Sequence, residues 1–323
     1  MPDERHNQGE PQVTESSIPV DLRNPGQVLA CLGFLEAAEL YCGNAEGWFN
    51  WLDATDTRFC LRTDVEANPF ALVLDAITAS DITCYAPCGY SEADEPGDAE
   101  TYGIPGELLA RPSILLSDSF PSGKGNPMEL PIILKAAKQP ALELSHWTDG
   151  SSRETFKLYS GNRSAFGIAK SMLSGTRHKP KRGQSIGDVK TKGVSQLWLE
   201  QRTALLERPF DVVTPMGGSF NLDPRGAWTA IDAGYSPNAQ KHQVAASPIV
   251  ELFAAIGLEH ARPYVYGVRK VQYLVWGCPL PAMMARPAMS GAIPVLPHRR
   301  FGFELALSGK NKVVTFSEEE IVP

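Results

Sequence analysis

Residues 24–44 read NPGQVLACLGFLEAAELYCGN, and this stretch decides where the core lies. Asn24 can cap a helix, Pro25 suits the first helical turn, and Gln27 stands where a capping box places its amide. The residues that follow are mostly apolar with few charges. They predict a helix buried in the core rather than one lying on the surface. The helix is expected to end at Cys42-Gly43-Asn44.

Helices and strands follow one another irregularly on both sides of this helix. Capping residues and apolar periodicity predict further helices at 69–80, 162–173, 194–207 and 248–259. Strands are predicted at 18–22, 48–52, 58–62, 112–120, 210–214, 218–222 and 271–277, with a closing β-hairpin at 299–316. Because no regular βαβ alternation occurs, the sequence predicts an α+β fold of mixed helices and antiparallel strands.

The domain organisation follows from length and local composition. A chain of 323 residues can form one large domain or two ordinary ones. Residues 1–17 are polar and predict a disordered tail. Residues 18–323 are expected to form one large α+β unit, and a division into two lobes, 18–150 and 151–323, stays open. Residues 176–193 are rich in Gly, Pro, Ser, Lys and Arg without an apolar period, and predict an exposed basic loop.

Several classes of function are disfavoured by what the sequence lacks. No apolar run approaches the ~20 residues that span a bilayer, and the polar N-terminus does not resemble a secretory signal, so a cytoplasmic protein without a membrane partner is expected. The six cysteines include no CxxC pair and predict reduced, buried thiols. Phosphate-binding-loop, HExxH and GxGxxG motifs are absent. Gly183 to Gly187 matches a nucleophile elbow, but no strand precedes it and no helix follows. No cofactor or metal is expected.

Positive charge is concentrated in one segment of an acidic chain. The whole chain has 30 basic and 37 acidic residues, a net charge of −7. Residues 153–192 hold ten basic and two acidic residues, a net of about +8, which leaves 20 basic and 35 acidic residues and a net of −15 elsewhere. Such asymmetry favours an anionic partner, and a nucleic-acid backbone fits best. A solvated surface loop without a partner is the alternative.

Candidate nucleic-acid contacts are chosen by charge and position. Asn162 begins a predicted helix, whose free N–H groups favour phosphate. Arg163 and Lys170 are seven residues apart and are predicted to share one helix face. Arg299 and Arg300 open a strand beside Phe301, although paired surface salt bridges explain them equally well. The candidate residues are Lys157, Asn162, Arg163, Lys170, Arg177, Lys179, Lys181, Arg182, Lys190, Lys192, Arg299 and Arg300.

Two other classes of function stay open. The first is an architectural subunit without nucleic-acid contact. Its apolar helix at 25–42 and its acidic segment 92–100 would contact partner proteins, and residues 153–192 would bind an acidic neighbour. In a metal-dependent nuclease, Asp223 and Asp232 would act as paired carboxylates. Their neighbours are turn formers, however, and carboxylates in such places commonly accept backbone N–H bonds.

Four blocks taken in order resemble a known protein family. They are NPGQVLACLGFLEAAELYCGNAEGWF at 24–49, FKLYSGNRSAFGIAKSML at 156–173, FNLDPRGAWTAIDAGYSPN at 220–238 and YLVWGCPLPAMMARPA at 273–288. Their order and spacing resemble the Cas-eight-like (Csb-three) subunit of type I-G CRISPR systems, formerly type I-U. The resemblance extends over roughly residues 18–316, while the basic segment 177–192 and the acidic segment 92–100 lie outside the matching blocks.

The resemblance implies a non-enzymatic subunit of an RNA-guided surveillance complex (Cascade) in antiviral defence. Its partners would be CRISPR guide RNA, target double-stranded DNA, the other Cascade subunits of the backbone, Cas-five and Cas-six types, and a helicase-nuclease recruited on target binding. Such a subunit is expected to hold the guide's 5′ end and to recognise the protospacer-adjacent motif on duplex DNA, while guide pairing reads the remaining sequence, a division of labour known from another effector class. The matching blocks do not assign the residues that read the motif.

Overall fold

The structure is a computed structural model that describes residues 13–84, 131–147, 156–159, 164–180, 184, 187–216, 218–226, 244–295, 297–308 and 311–320. Seven α-helices occur in these residues: α1 (Pro25–Cys42), α2 (Pro69–Thr78), α3 (Ala165–Ser174), α4 (Val194–Glu200), α5 (Arg202–Glu207), α6 (Pro248–His260) and α7 (Ala282–Met289). Short 3-10 turns lie at Pro209–Asp211 and Pro224–Gly226. Helices and small antiparallel sheets together give an α+β fold, as predicted.

Seventeen short strands accompany the helices in the described part of the chain. They are β1 (Thr14–Pro19), β2 (Glu46–Asn50), β3 (Arg58–Thr63), β4 (Asp81–Cys84), β5 (Ile132–Lys135), β6 (Leu142–Leu144), β7 (Thr176–Arg177), β8 (Val189–Thr191), β9 (Thr214–Pro215), β10 (Ala245–Ala246), β11 (Tyr264–Gly267), β12 (Lys270–Trp276), β13 (Leu280–Pro281), β14 (His298–Glu304), β15 (Ala306–Ser308), β16 (Asn311–Val313) and β17 (Glu318–Glu319).

All strand pairs in these residues are antiparallel. Two four-stranded sheets have the orders β1-β3-β2-β13 and β11-β12-β14-β17, and a three-stranded sheet has the order β4-β5-β6. Three two-stranded ribbons join β7 to β8, β9 to β10 and β15 to β16. In the second four-stranded sheet, Tyr273 on β12 lies opposite Phe301 on β14 and both rings are buried, which fixes the register of the pair.

Helix α1 begins as its capping residues predict. The Asn24 side chain accepts a hydrogen bond from the N–H of Gln27 at 3.0 Å, which satisfies one free donor of the first turn. The Gln27 amide oxygen accepts from the N–H of Asp21 at 2.8 Å rather than from the capping residue, so the expected capping box is replaced by a contact one turn earlier. Gly43, with φ of 73°, ends the helix.

Helices α1 and α6 cross in the centre of the core with their backbones in contact. A Cβ atom on Gly33 would clash with the carbonyl oxygen of Phe253, and one on Gly257 would clash with that of Leu29. Beside this crossing, the rings of Phe34 and Phe253 stack with centroids 3.9 Å apart. Two glycines on facing helices therefore allow an approach that any larger residue would prevent. Since α1 is buried from Pro25 to Ala38, its assignment as a surface for partner proteins is wrong.

Several local predictions differ from the structure, among them the strand at 210–214, because Pro209–Asp211 form a 3-10 turn. The predicted tail is too long, because residues 14–17 belong to β1 and pair with β3. The helix predicted at 194–207 divides into α4 and α5 at Gln201, whose φ and ψ of −136° and 39° are not helical. No strand forms at 218–222, where Phe220 and Leu222 are buried in irregular backbone. The closing hairpin is confined to β15 and β16, while β14 pairs with β12. The predicted strand at 112–120 and the acidic segment 92–100 lie outside the described residues.

Candidate nucleic-acid interface

The basic segment 176–193 carries short strands at both ends, so the prediction of a loop without regular structure is wrong there. Strands β7 and β8 pair with Thr176 opposite Thr191 and Arg177 opposite Val189, with a register shift between the two pairs. The N–H of His178 donates to the carbonyl of Asp188 at 2.8 Å and extends the pairing by one bond. We call the described residues of 176–192 the basic ribbon.

Glycines attach the basic ribbon to the end of helix α3. Gly175, with φ of 76°, caps α3 by donating its N–H to the carbonyl of Ser171 at 2.9 Å. A Cβ atom on Gly175 would clash with the carbonyl oxygen of Thr191, and one on Gly193 would clash with the backbone of Gly175 and Leu173. The two ends of the ribbon therefore meet directly at the C-terminus of α3. Helix α4 starts immediately after Gly193.

The ribbon presents cations to solvent. Arg177, Lys179 and Lys190 are exposed, and none of these three forms an ion pair with a carboxylate among the described residues. The Arg177 guanidinium also donates to the carbonyl of Gly187 at 3.2 Å, across the ribbon. Lys192 instead pairs with Glu200 on α4, so its charge is partly neutralised. Lys181 and Arg182 lie outside the described residues.

Helix α3 adds Lys170 next to the ribbon. Its buried side is formed by Phe166, Ile168, Ala169, Met172 and Leu173, whereas Lys170 is exposed. The ammonium group of Lys170 lies 5.7 Å from the centroid of the Phe166 ring, within cation–π range. Because α3 leads directly into β7, Lys170 and the ribbon cations belong to one continuous piece of backbone.

The predicted start of this helix is wrong. The helix begins at Ala165, and Ser164 is its N-cap, with the Ser164 hydroxyl accepting from the N–H of Gly167 at 3.1 Å. Asn162 and Arg163 precede the helix and lie outside the described residues. The predictions for these two residues are therefore not described by the structure, whereas the helix start itself is fixed at Ser164 and Ala165. The prediction gives the free N–H groups of the first helical turn to phosphate, but the N–H of Gly167 is already bonded to the Ser164 hydroxyl.

Lys157 lies on a short segment packed against aromatic rings. Its ammonium group is 5.5 Å from the centroid of the Tyr159 ring, and the side chain is half-buried. Tyr159 in turn packs edge-on against Phe220, with centroids 5.8 Å apart. The backbone carbonyl of Leu158 accepts from the Asn221 amide at 3.3 Å. The packing of this segment against Phe220 and Asn221 therefore fixes the position of Lys157.

Arg299 and Arg300 belong to the sheet β11-β12-β14-β17. The Arg299 guanidinium pairs with Glu319 through two hydrogen bonds, at 2.7 and 2.5 Å, and lies 5.4 Å from the centroid of the Phe301 ring. Glu319 already supplies a carboxylate partner for Arg299, so the charge of this guanidinium is neutralised without a phosphate. Arg300 is half-buried, and its Nε is buried without a hydrogen-bond partner among the described residues. For Arg299, the salt-bridge interpretation is confirmed.

Asp223, proposed as a nuclease carboxylate, is a buried structural anion. Its carboxylate accepts bonds from the Arg225 guanidinium at 2.8 Å and from the N–H of Ser247 at 3.0 Å. Asn24, the cap of α1, contacts it at 3.4 Å, and Ser247 is the cap of α6. Asp223 thus supplies negative charge at the N-termini of both central helices, where it is favourable. Asp232 lies outside the described residues.

A second buried carboxylate lies beside Asp223. Glu251, in the first turn of α6, accepts from the N–H groups of Leu222 at 3.1 Å and Asp223 at 2.8 Å. Its other oxygen, Oε2, is buried without a partner among the described residues. Burial, assisted by the negative charge of Asp223, raises the pKa of Glu251 to about 8 against the opposing backbone hydrogen bonds. This carboxyl group is therefore mostly protonated at neutral pH.

Sequence reasoning missed the residues that hold the ribbon in place. Gly175 follows an apolar helix and carries the signal of a C-cap glycine, so it was accessible from the sequence. Gly187 and Gly193 lie in a Gly-rich segment and carry no comparable signal. The pairing of Lys192 with Glu200 was also missed, because the two residues belong to different elements.

The chain matches no protein-family model, no curated protein and no solved structure. Within the described ranges, no helix is long and apolar enough to cross a bilayer. The same ranges contain no group of three or more His, Cys, Asp or Glu side chains that could hold a metal ion. The feature of the α3–ribbon surface that can recognise a ligand is its exposed positive charge.

Proposed function

We propose that this chain is a non-enzymatic, nucleic-acid-binding subunit of a cytoplasmic type I CRISPR surveillance complex. In this role it helps to hold the guide RNA, to recognise the protospacer-adjacent motif and to bind target DNA, in assembly with the other Cascade subunits. The four sequence blocks that resemble the Cas-eight-like subunit of type I-G systems support this class, and three of them include elements of the described core, α1, α3 and β12.

The observation that carries the proposal is the cluster of exposed cations on the basic ribbon and α3. Arg177, Lys179 and Lys190 project from the ribbon without carboxylate partners among the described residues, and Lys170 follows on α3. The rest of the chain is acidic, so a polyanion is attracted to this surface and repelled from most others. Phosphate contacts of this kind position a protein on nucleic acid without reading its sequence.

The shape of the ribbon favours duplex DNA as the partner. A two-stranded β-ribbon is one of the elements that the major groove of B-DNA admits. Close backbone contacts at Gly175 and Gly193 attach both ends of the ribbon to the end of α3. A ribbon inserted into DNA would therefore have a fixed direction relative to the rest of the protein. In this proposal Arg177 and Lys190 contact phosphates that flank the groove, and guide pairing reads the adjoining sequence.

Salt dependence of DNA binding tests the role of the ribbon. Each lost contact to duplex phosphate reduces the slope of log K against log salt by about 0.9. In the complex assembled with the products of the neighbouring genes, Lys179→Gln/Lys190→Gln should reduce the slope by about 2. The matched control, Lys135→Gln/Lys138→Gln, removes two exposed charges at and after β5 and should leave the slope unchanged. Equal slopes for the two variants would show that the ribbon does not contact DNA.

RNA content tests the class of complex. The chain purified with the products of its neighbouring genes should contain a discrete guide RNA, identified by sequencing. Ultraviolet crosslinks from guide or target should fall within residues 156–192. A complex without RNA, or with crosslinks confined to other subunits, would instead support the architectural role.

A further inference from the structure

An open groove crosses the outer face of the sheet β11-β12-β14-β17, with a volume of about 450 Å³. The register places Gly302 of β14 between Gln272 of β12 and Glu318 of β17. Gly302 has no side chain, so the backbone of β14 is exposed at the bottom of the groove. The carboxylate of Glu320 lies over Gly302, where a Cβ atom would clash with it. The groove is therefore formed by the sequence of the sheet itself.

Aromatic rings open to solvent line the groove at both edges of the sheet, on β11 and just before β17. Tyr266 and Phe316 line it, and these side chains are 49% and 50% exposed. Tyr264, 53% exposed, stacks beside Tyr266 with ring centroids 6.3 Å apart and planes inclined by 23°. Aromatic rings exposed together in this way mark interaction sites more often than isolated apolar residues do.

The groove has an excess of carboxylates: Glu304, Glu318, Glu319 and Glu320 line it, and among the described lining residues Lys270 is the only cation. Glu304 and Glu319 are paired with Arg269 and Arg299 in the sheet. Glu318 and Glu320, by contrast, have no cationic partner in the part of the chain that the structure describes; Glu320 accepts a hydrogen bond from the neutral amide of Gln272. Their charges disfavour a phosphate backbone in the groove and favour a cationic ligand.

We propose that this aromatic–acidic groove docks an extended segment of a partner protein that presents an arginine. A guanidinium group is planar, so it can stack on the ring of Phe316 while it donates hydrogen bonds to the carboxylates that follow Phe316 in the chain. Glu318, on the edge strand β17, and Glu320, directly after this strand, provide those acceptors. The inference stands apart from the proposed function, because the groove and the basic ribbon share no residue.

Peptide binding to the full chain tests this proposal. The probes are a fluorescein-labelled pentapeptide, Gly-Arg-Leu-Arg-Gly, and the same peptide with citrulline, which is uncharged but nearly isosteric, at both arginine positions. Fluorescence anisotropy at low salt should show binding of the arginine peptide and at least about tenfold weaker binding of the citrulline peptide. Glu318→Gln/Glu320→Gln should weaken the arginine peptide by a similar factor. The control Glu15→Gln/Glu66→Gln, which changes exposed acids elsewhere, should bind like the unmodified chain.

Three outcomes would overturn the proposal. The first is no binding of the arginine peptide up to about 1 mM, the weakest affinity that a specific site of this size is expected to give. The second is equal binding of the arginine and citrulline peptides, or of the groove and control variants. The third is tighter binding of oligouridylate than of the arginine peptide, lost in Tyr264→Ala/Tyr266→Ala, which would identify a base-stacking surface instead. Circular dichroism confirms that each variant is folded.

Discussion

Replacing Glu251 with Gln should remove one component of the pH dependence of stability. Burial raises the pKa of Glu251 to about 8 in the folded chain, whereas an unfolded glutamate has a pKa of about 4.3. Between these values the folded protein holds a proton that the unfolded chain has released. Stability therefore falls as the pH rises through this window, and the part contributed by Glu251 is fully present below the unfolded pKa.

The size of the effect follows from the separation of the two pKa values. Within the window, each pH unit lowers the free energy of unfolding by about 1.4 kcal/mol, which amounts to about 3 kcal/mol between about pH 5 and pH 7.5. Gln is neutral at every pH, and its amide oxygen can still accept from the N–H groups of Leu222 and Asp223. The variant should therefore lack this component while it keeps the local hydrogen bonds.

Urea unfolding at several pH values measures the component. Tryptophan fluorescence and circular dichroism should give coincident transitions for the unmodified chain and for Glu251→Gln at each pH. The stability of the variant relative to the unmodified chain should rise by about 3 kcal/mol between about pH 5 and pH 7.5. Contributions from other titrating groups cancel in this difference. The exposed control Glu66→Gln should show a flat difference, and a flat difference for Glu251→Gln as well would refute the assignment of a buried, protonated carboxyl.

Three further substitutions examine the core and the root of the ribbon. Gly257→Ala should force α1 and α6 apart and lower the free energy of unfolding by about 2–3 kcal/mol; an unchanged urea midpoint would contradict the close crossing. Arg286→Met should destabilise by about 3 kcal/mol because it leaves the buried Glu36 carboxylate without its two 2.7 Å hydrogen bonds, whereas Arg202→Met, at an exposed pair, should cost much less. Gly175→Ala should displace the ribbon, lower the melting temperature by a few degrees and weaken binding of target DNA by the assembled complex in a mobility-shift assay run well below that temperature; unchanged binding would show that the ribbon position is unimportant.

The elements with capping signals could be predicted from the sequence. Asn24 with Pro25, Asn68 with Pro69, and Ser247 with Pro248 each pair a capping side chain with a proline in the first turn, and α1, α2 and α6 begin at these points. The predicted start of α3 is three residues too early because Asn162 and Ser164 are both good capping residues. Only the backbone geometry shows that Ser164 caps the helix.

The basic ribbon shows why part of the site could not be predicted. Strands of two and three residues are too short to show an alternating pattern, so β7 and β8 leave no periodic signal. Charge counting identified Arg177, Lys179 and Lys190 correctly as exposed, because charged side chains rarely lie in a core. It could not distinguish them from Lys192, since the carboxylate that pairs with Lys192 comes from the following helix.

The distribution of charge gives the two proposed surfaces opposite preferences. The basic ribbon can hold a polyanion, whereas Glu318 and Glu320 in the aromatic–acidic groove repel one. In the roles proposed above, the net charge of −15 outside residues 153–192 favours nucleic acid at the ribbon and a cationic protein segment at the groove. The two surfaces share no residue, so neutralising the charges of one should leave the contacts of the other in place. Independent binding of DNA and of an arginine-bearing partner is thus the behaviour that this charge distribution favours.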